Sequence, residues 1–311
     1  MDTGDARAIK RKQSTSLMEK TGITSTISSF QNVLNVVWNN VFYTPKFDSH
    51  LKNRIRTCPG TISSIDTLYG VNELCEIEDF SDVYLLIRKI RDNLLLDLFL
   101  FEAQKSFEKD PNNSFTGIDL NNVNEMVKAL NDYYIKCIDT EITKEELKAI
   151  NMWKDDELLM SKNRIKQEHF QYSKYLAYLQ KNNEDFRECF NKFLKDRFDK
   201  MDLKLNDYVH SNSESLMINK QDPTKVLCDI KETLIDLEQL FIISLFFIDS
   251  TLFVSSDYMD YVECGMTPPE GSQYWVNGYI QDILIEINSD NTDLFTFLID
   301  HNNNSMKIDI Q

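Results

Sequence analysis

"LEQLFIISLFFIDSTLFV", residues 237–254, is the most apolar run of this 311-residue chain. A helix that spans a bilayer needs about 20 predominantly apolar residues with few or no charges. This run is slightly shorter and contains Glu238 and Asp249, and carboxylates are expensive inside a membrane. The stretch therefore predicts a buried core helix, and we expect no membrane span.

The composition around this helix indicates an all-α protein. The chain has 42% hydrophobic residues but only 8 Gly and 6 Pro, and turn-dense β architectures need many more of both. We predict a single large helical bundle over residues 22–311, with at most a short hairpin within 294–310. Predicted helices cover residues 25–42, 61–77, 79–107, 119–137, 142–160, 163–212, 222–262 and 272–287, with breaks near 109–114 and 266–271.

The charge of the chain excludes one broad class of function. The net charge is -16 and the isoelectric point is about 4.7, so the average surface repels phosphate backbones. We therefore expect no nucleic-acid binding. The six cysteines form no CxxC pair, and the first 20 residues contain no apolar signal segment, so we expect reduced thiols and a cytoplasmic location.

The first 21 residues are predicted to be a flexible tail, because they contain few bulky apolar side chains. Within "KRKQS", Arg11 and Lys12 lie three and two positions before Ser14. This is the spacing that basophilic kinases recognise. Two interpretations stay open here, a solvated tail and a phosphorylation site at Ser14.

"KLNDYVHSNSE", residues 204–214, contains a pattern typical of a metal-binding helix edge. On a helix, positions i, i+4 and i+8 lie on one edge, so Asn206, His210 and Glu214 would project side by side. Mg²⁺ prefers hard oxygen ligands, and the nitrogen of His210 is a poor substitute. An acidic partner motif occurs earlier, where Glu78, Asp79 and Asp82 form an EDxxD sequence, and 127 positions separate Asp79 from Asn206.

These two motifs together resemble the paired metal motifs of the class I terpene synthase family. Two further fragments resemble that family in the same order, "CPGTISSIDTLYGVNELCEI" at 58–77 and "YWVNGYIQDI" at 274–283. The resemblance implies a helical bundle in which Mg²⁺, held by Glu78, Asp79, Asp82, Asn206, His210 and Glu214, promotes ionisation and cyclisation of a prenyl diphosphate substrate.

The chain also departs from that family. The family senses the diphosphate with an upstream Arg and with an Arg-Tyr pair near the C-terminus, but the last arginine here is Arg197. Arg164 and Arg187 are the candidates for the upstream catalytic position. The alternative hypothesis is a non-catalytic, all-helical scaffold or adaptor that binds a protein partner. In that case "NDYVHSNSE" is only a polar helix end.

Overall fold

The computed structural model describes residues 3–47, 58–109, 172–208, 217–218, 221–304 and 308–310. The predicted helices at 119–137 and 142–160, and the outer parts of the one predicted at 163–212, lie outside these ranges. The described α-helices are α1 Thr3–Thr21, α2 Ile23–Phe47, α3 Pro59–Ile77, α4 Phe80–Lys109, α5 Tyr172–Asn182, α6 Glu184–Cys189, α7 Lys195–Asp207, α8 Pro223–Asp249, α9 Asp257–Glu263, α10 Gly278–Asp290 and α11 Thr292–Asn304.

The all-α prediction is confirmed. A π-turn at Phe190–Leu194 joins α6 to α7, and short 3₁₀ turns cover Ser250–Phe253 and Ser272–Tyr274. In the described ranges, β structure is limited to two isolated bridges, Val254 with Val276 and Trp275 with Asp309. The segment in which a short hairpin was allowed is mostly helical, because α11 covers residues 292–304.

Helix α8 forms the centre of the bundle. Every residue from Leu237 to Ser250 is buried, because α2, α4, α6, α10 and α11 all pack against this helix. The expectation of a buried core helix is therefore confirmed. Among the residues that the structure describes, no helix is long and apolar enough to cross a membrane.

The hairpin of α3 and α4 depends on one glycine and one buried carboxylate. Pro59 begins α3, and the backbone N–H groups of Gly60 and Thr61 both donate to the side chain of Asp97. The Thr61 hydroxyl donates to the same carboxylate at 2.7 Å. A Cβ at Gly60 would lie 2.0 Å from the carbonyl oxygen of Asn93, so only glycine allows this close approach.

The N-terminal segment is helical in the structure. Residues 3–21 form α1, and both Ser14 and Met18 are buried against the bundle. The flexibility predicted for residues 1–21 stays a prediction.

Specific contacts define two ends of the bundle. At one end, which we call the Tyr84 end, the Tyr84 side chain stacks on Tyr208 and donates to Asp229 of α8. At the other, the Glu102 end, Asn183 Nδ2 donates to Glu102 of α4 at 3.0 Å and to the Phe247 carbonyl of α8 at 3.1 Å. Helices α4 and α8 therefore run in the same direction, and the chain from α6 to α7 runs back between these ends.

The cysteines agree with the expectation of reduced thiols. The described ones are all free, namely Cys58, Cys75, Cys189, Cys228 and Cys264.

Candidate functional site

The EDxxD sequence forms the junction between α3 and α4 at the Tyr84 end. Glu78 has φ 60°, in the left-handed region, and its N–H donates to the Cys75 carbonyl, while the N–H of Asp79 donates to the Leu74 carbonyl. These two bonds form a Schellman motif, which closes a helix and normally has glycine at this position. The Glu78 carboxylate accepts a hydrogen bond of 2.7 Å from the Ser14 hydroxyl of α1. Glu78 therefore ties α1 to the end of α3.

The two aspartates stand at the beginning of α4. Asp79 precedes the first helical residue, its carbonyl accepts from the Val83 N–H, and its side chain accepts from the Ser81 hydroxyl at 3.1 Å. Asp82 is exposed in the first turn of the helix. Carboxylates at these positions stabilise a helix through its N-terminal partial positive charge. This geometry gives Asp79 and Asp82 a role in starting α4.

A stacked tyrosine pair joins α4 directly to the end of α7. The rings of Tyr84 and Tyr208 have centroids 4.0 Å apart and are nearly parallel. Asp229 of α8 accepts from the Tyr84 hydroxyl and, at 2.6 Å, from the Lys204 ammonium. Burial raises the pKa of the Tyr84 hydroxyl, and its hydrogen bond to Asp229 adds to the shift. The tyrosine stays neutral, and the network holds three helices together.

The predicted metal ligands share this end of the bundle, but they do not face one another. Asp82 lies two positions before Tyr84, and Asn206 lies two positions before Tyr208. Two helical positions correspond to about 200° of rotation. Since the two tyrosines face each other, the side chains of Asp82 and Asn206 point away from the contact between α4 and α7. His210 and Glu214 lie outside the described residues.

The fit of Mg²⁺ to these residues follows from that geometry. Within the described ranges, no group of three or more His, Cys, Asp or Glu side chains is arranged to hold a metal ion. Glu78 is bonded to Ser14 and Asp79 to Ser81, so two of the nominated carboxylates serve local contacts. Two of the six nominated ligands, His210 and Glu214, lie outside the described ranges, and the described ones are not gathered into such a group.

The two arginine candidates do not join this site in the described structure. Arg187 is exposed on α6, pairs with Glu184 at 2.9 Å, and lines a surface pocket of about 460 Å³. The N-cap residue of α6 is Asn183, which contacts Glu102, and 20 helical positions from Asp82 to Glu102 correspond to about 30 Å. Arg187 thus belongs to the Glu102 end. Arg164 lies outside the described residues.

Sequence reasoning missed a buried arginine in the middle of α4. Arg91 is 1% exposed, and its guanidinium pairs with Asp92 at 2.8 Å and with Asp202 of α7 at 2.7 Å. The ring of Tyr172 lies 4.2 Å below the guanidinium carbon. Every side of this cation is satisfied by a neighbour, so Arg91 is a structural link among α4, α5 and α7.

A second missed feature is the segment of residues 255–279, which we call the lobe. It contains α9, none of whose residues is buried. The base of the lobe is fixed by backbone bonds, since the Ser255 N–H donates to the Trp275 carbonyl at 2.7 Å and the Asn277 N–H to the Phe253 carbonyl at 2.8 Å. Large apolar side chains are nevertheless exposed along it: Val262 by 45%, Met266 by 54%, Tyr274 by 49% and Tyr279 by 48%.

The lobe is also uniformly acidic. It carries Asp257, Asp260, Glu263 and Glu270, and the sequence contains no Lys or Arg between Lys231 and Lys307. The absence of Lys and Arg around these carboxylates is visible in the sequence. It is the sequence feature that could have indicated an acidic surface here. Exposed aromatic and aliphatic side chains surrounded by charges of one sign are typical of a binding surface.

Comparisons with known proteins add no relative. The chain matches no protein-family model, no curated protein and no solved structure.

Proposed function

We propose that this protein is a non-catalytic, all-helical interaction module, and that the lobe is its binding surface. The observation that carries the proposal is that α9 has no buried residue, in a protein whose central helix α8 is buried over 13 consecutive positions. Isolated helices shorter than about 12 residues are marginal in water. A seven-residue helix with no buried residue gains stability when a partner covers it.

The apolar side chains of the lobe fit this role. Val262, Met266 and Tyr274 are each roughly half exposed, although the backbone around them is held in place. The Met266 N–H donates to the Tyr261 carbonyl at 2.9 Å, and the Tyr274 N–H donates to the Gly271 carbonyl at 2.9 Å. A fixed backbone with exposed aromatic side chains is preorganised for binding, because little conformational freedom is lost when a partner docks.

The negative charge of the lobe indicates the charge of the partner that would bind it. Four carboxylates with no Lys or Arg in the same stretch favour a partner that carries several Lys or Arg side chains. A symmetric contact with a second copy would bring the same carboxylates together, which is unfavourable. The proposed occupant is therefore a basic amphipathic helix of another protein, whose apolar face covers Val262, Met266 and Tyr274 and whose cations meet the carboxylates.

Fluorescence anisotropy with a labelled synthetic Lys/Leu amphipathic peptide tests this proposal. We expect saturable binding that weakens about tenfold or more between low and high salt, since the contact is partly ionic. Tyr274→Ser should weaken binding by about tenfold, which is 1.4 kcal/mol.

A matched control comes from α3, where Tyr69 is 61% exposed and lies outside the lobe. Tyr69→Ser should leave the affinity unchanged. Equal losses from both serine variants, or no binding of the basic peptide at low salt, would contradict the proposal. A glutamate version of the peptide serves as the charge control and should not bind.

A terpene synthase-like activity on a prenyl diphosphate is a second proposal. It is supported by one observation, that Glu78, Asp79, Asp82 and Asn206 belong to the same end of the bundle. Under this proposal, millimolar Mg²⁺ with diphosphate raises the melting temperature through binding to the native state, and Asn206→Ala removes the rise. Under the interaction proposal, Mg²⁺ with diphosphate raises the melting temperature of neither the wild type nor Asn206→Ala.

A further inference from the structure

Helix α1 is joined to the rest of the chain by a single hinge residue. It ends at Thr21, α2 begins at Ile23, and Gly22 between them has φ +74°. This backbone conformation costs glycine nothing and is unfavourable for other residues. Gly22 is therefore the one residue at which the chain turns from α1 into α2.

The attachment of α1 to the body is thin. Of residues 11–21, only Ser14 and Met18 are buried. The Lys231 ammonium of α8 donates to the Thr21 carbonyl at 3.2 Å, and Arg11 donates to Glu73 and Glu76 of α3 at the surface. Exposed pairs of this kind contribute little. A segment with few buried apolar contacts opens locally more often than the core does.

The contact beneath Ser14 is the most specific one of α1. The Ser14 side chain is 0% exposed, and its hydroxyl lies 2.7 Å from the Glu78 carboxylate oxygen. Glu78 is held at φ 60°, a backbone conformation that is unfavourable for residues other than glycine. A second negative charge at the Ser14 position would face this carboxylate directly, with Glu73 and Glu76 on the same helix end.

We propose that Ser14 is a phosphorylation site and that its modification releases α1 from the bundle. The recognition element is Arg11 and Lys12 ahead of Ser14, and the co-reactants are a basophilic serine/threonine protein kinase and ATP. The Ser14 oxygen attacks the γ-phosphorus, an O–P bond forms, and the β–γ phosphoanhydride bond breaks. ADP leaves with the electron pair, and the hydroxyl proton passes to a carboxylate base of the kinase.

Burial of Ser14 makes this modification a switch. The kinase reacts with the open state of α1, and the product cannot close again, because the phosphate carries about -1.5 to -2 charges and meets Glu78. Arg11 lies three positions before Ser14, which is a neighbouring position on a helix. The phosphate therefore also draws Arg11 away from Glu73 and Glu76, and both attachments of α1 to α3 are lost together.

The experiment treats the full-length chain with the catalytic subunit of a cyclic-AMP-dependent kinase and ATP, and locates the phosphate by mass spectrometry. Hydrogen exchange then compares the modified and unmodified chains. We expect phosphate on Ser14 and at least tenfold faster exchange over residues 11–21, with unchanged exchange in the buried part of α8.

Four variants separate charge from the loss of a hydrogen bond. Ser14→Asp should accelerate exchange as the phosphate does, and adding Glu78→Gln should reverse most of that effect by removing the facing charge. Ser14→Ala should have a smaller effect. Thr15→Asp is the matched control, because Thr15 is exposed beside Ser14, and it should behave as the wild type does. Absence of phosphate on Ser14, or wild-type exchange in Ser14→Asp, would overturn the proposal.

Discussion

Two helices that nearly follow one another in the chain have opposite environments. In α8, every residue from Leu237 to its end at Asp249 is buried, whereas in α9, residues 257–263, no residue is buried. Both contain large apolar side chains. The difference arises from neighbours, since seven described helices pack against α8, while α9 contacts mainly the 3₁₀ turn at Ser272–Tyr274.

This contrast teaches that apolar content alone does not determine burial. Helix α8 carries Glu238 into the core because the flanking apolar side chains outweigh one carboxyl group. Helix α9 keeps Tyr261 and Val262 at the surface because the lobe is held by its backbone at the base. The buried helix determines stability, and the exposed helix is available to a partner.

The largest expected effect comes from truncating a buried side chain of α8. Phe246 of α8 is 2% exposed and contacts the rings of Phe247 and Phe253. Phe246→Ala should lower the free energy of unfolding by about 3–5 kcal/mol, because it removes buried apolar surface and leaves a cavity. Tyr274→Ala in the lobe should change it by less than about 0.5 kcal/mol. Urea denaturation of both variants provides the measurement. Similar losses of unfolding free energy in the two variants would contradict the predicted difference between α8 and the lobe.

Two glycines provide the next test. Gly60→Ala should destabilise the fold by about 2–3 kcal/mol, since its Cβ would meet the Asn93 carbonyl oxygen at 2.0 Å and the backbone of α4 must shift. Gly278 begins α10 at the edge of the lobe and has no atom within 4 Å of an added Cβ. Gly278→Ala should be neutral or slightly stabilising. Thermal melting distinguishes them, and a neutral Gly60→Ala would show that the α3–α4 contact is looser than described.

A smaller, pH-dependent effect is expected at Glu238. Burial raises the pKa of its carboxyl to about 8 from 4.5, with a further contribution from Glu286, and Oε1 has no hydrogen-bond partner among the described residues. Because the folded pKa is the higher one, stability is lost as the pH rises from about 4.5 to about 8. Glu238→Gln should therefore gain on the order of 1 kcal/mol at pH 8 and nearly nothing at pH 4.5. Urea midpoints at the two pH values check the sign, and equal midpoint shifts at both would refute it.

Much of the architecture was predictable from the sequence. The predicted helices at 61–77 and 79–107 nearly coincide with α3 and α4, because proline and the acidic residues mark their beginnings. The continuous helix predicted over 163–212 is wrong at Asn183. Its side chain accepts from the Phe186 N–H at 2.9 Å and starts a new helix. Asn followed by Glu184 and Asp185 is an N-cap signal that the prediction overlooked.

The candidate site was less predictable, because spacing along a chain does not fix the direction of a side chain. The EDxxD residues were chosen as ligands by pattern, yet in the structure Glu78 closes α3 and Asp79 precedes α4. The Tyr84–Tyr208 stack sets the rotation of both helices, and no sequence pattern indicated it. The exposed lobe was overlooked for a similar reason, since the prediction extended α8 through to residue 262.

Hydrogen exchange on the intact protein, with and without the basic amphipathic peptide, tests the central claim most directly. Without peptide, amides of residues 237–248 should exchange slowest and those of 257–263 among the fastest. With peptide, protection should rise by about tenfold or more over residues 257–279, and exchange in α8 should stay as it was. Protection of α9 equal to that of α8 without peptide, or protection by bound peptide only outside the lobe, would contradict the interaction proposal.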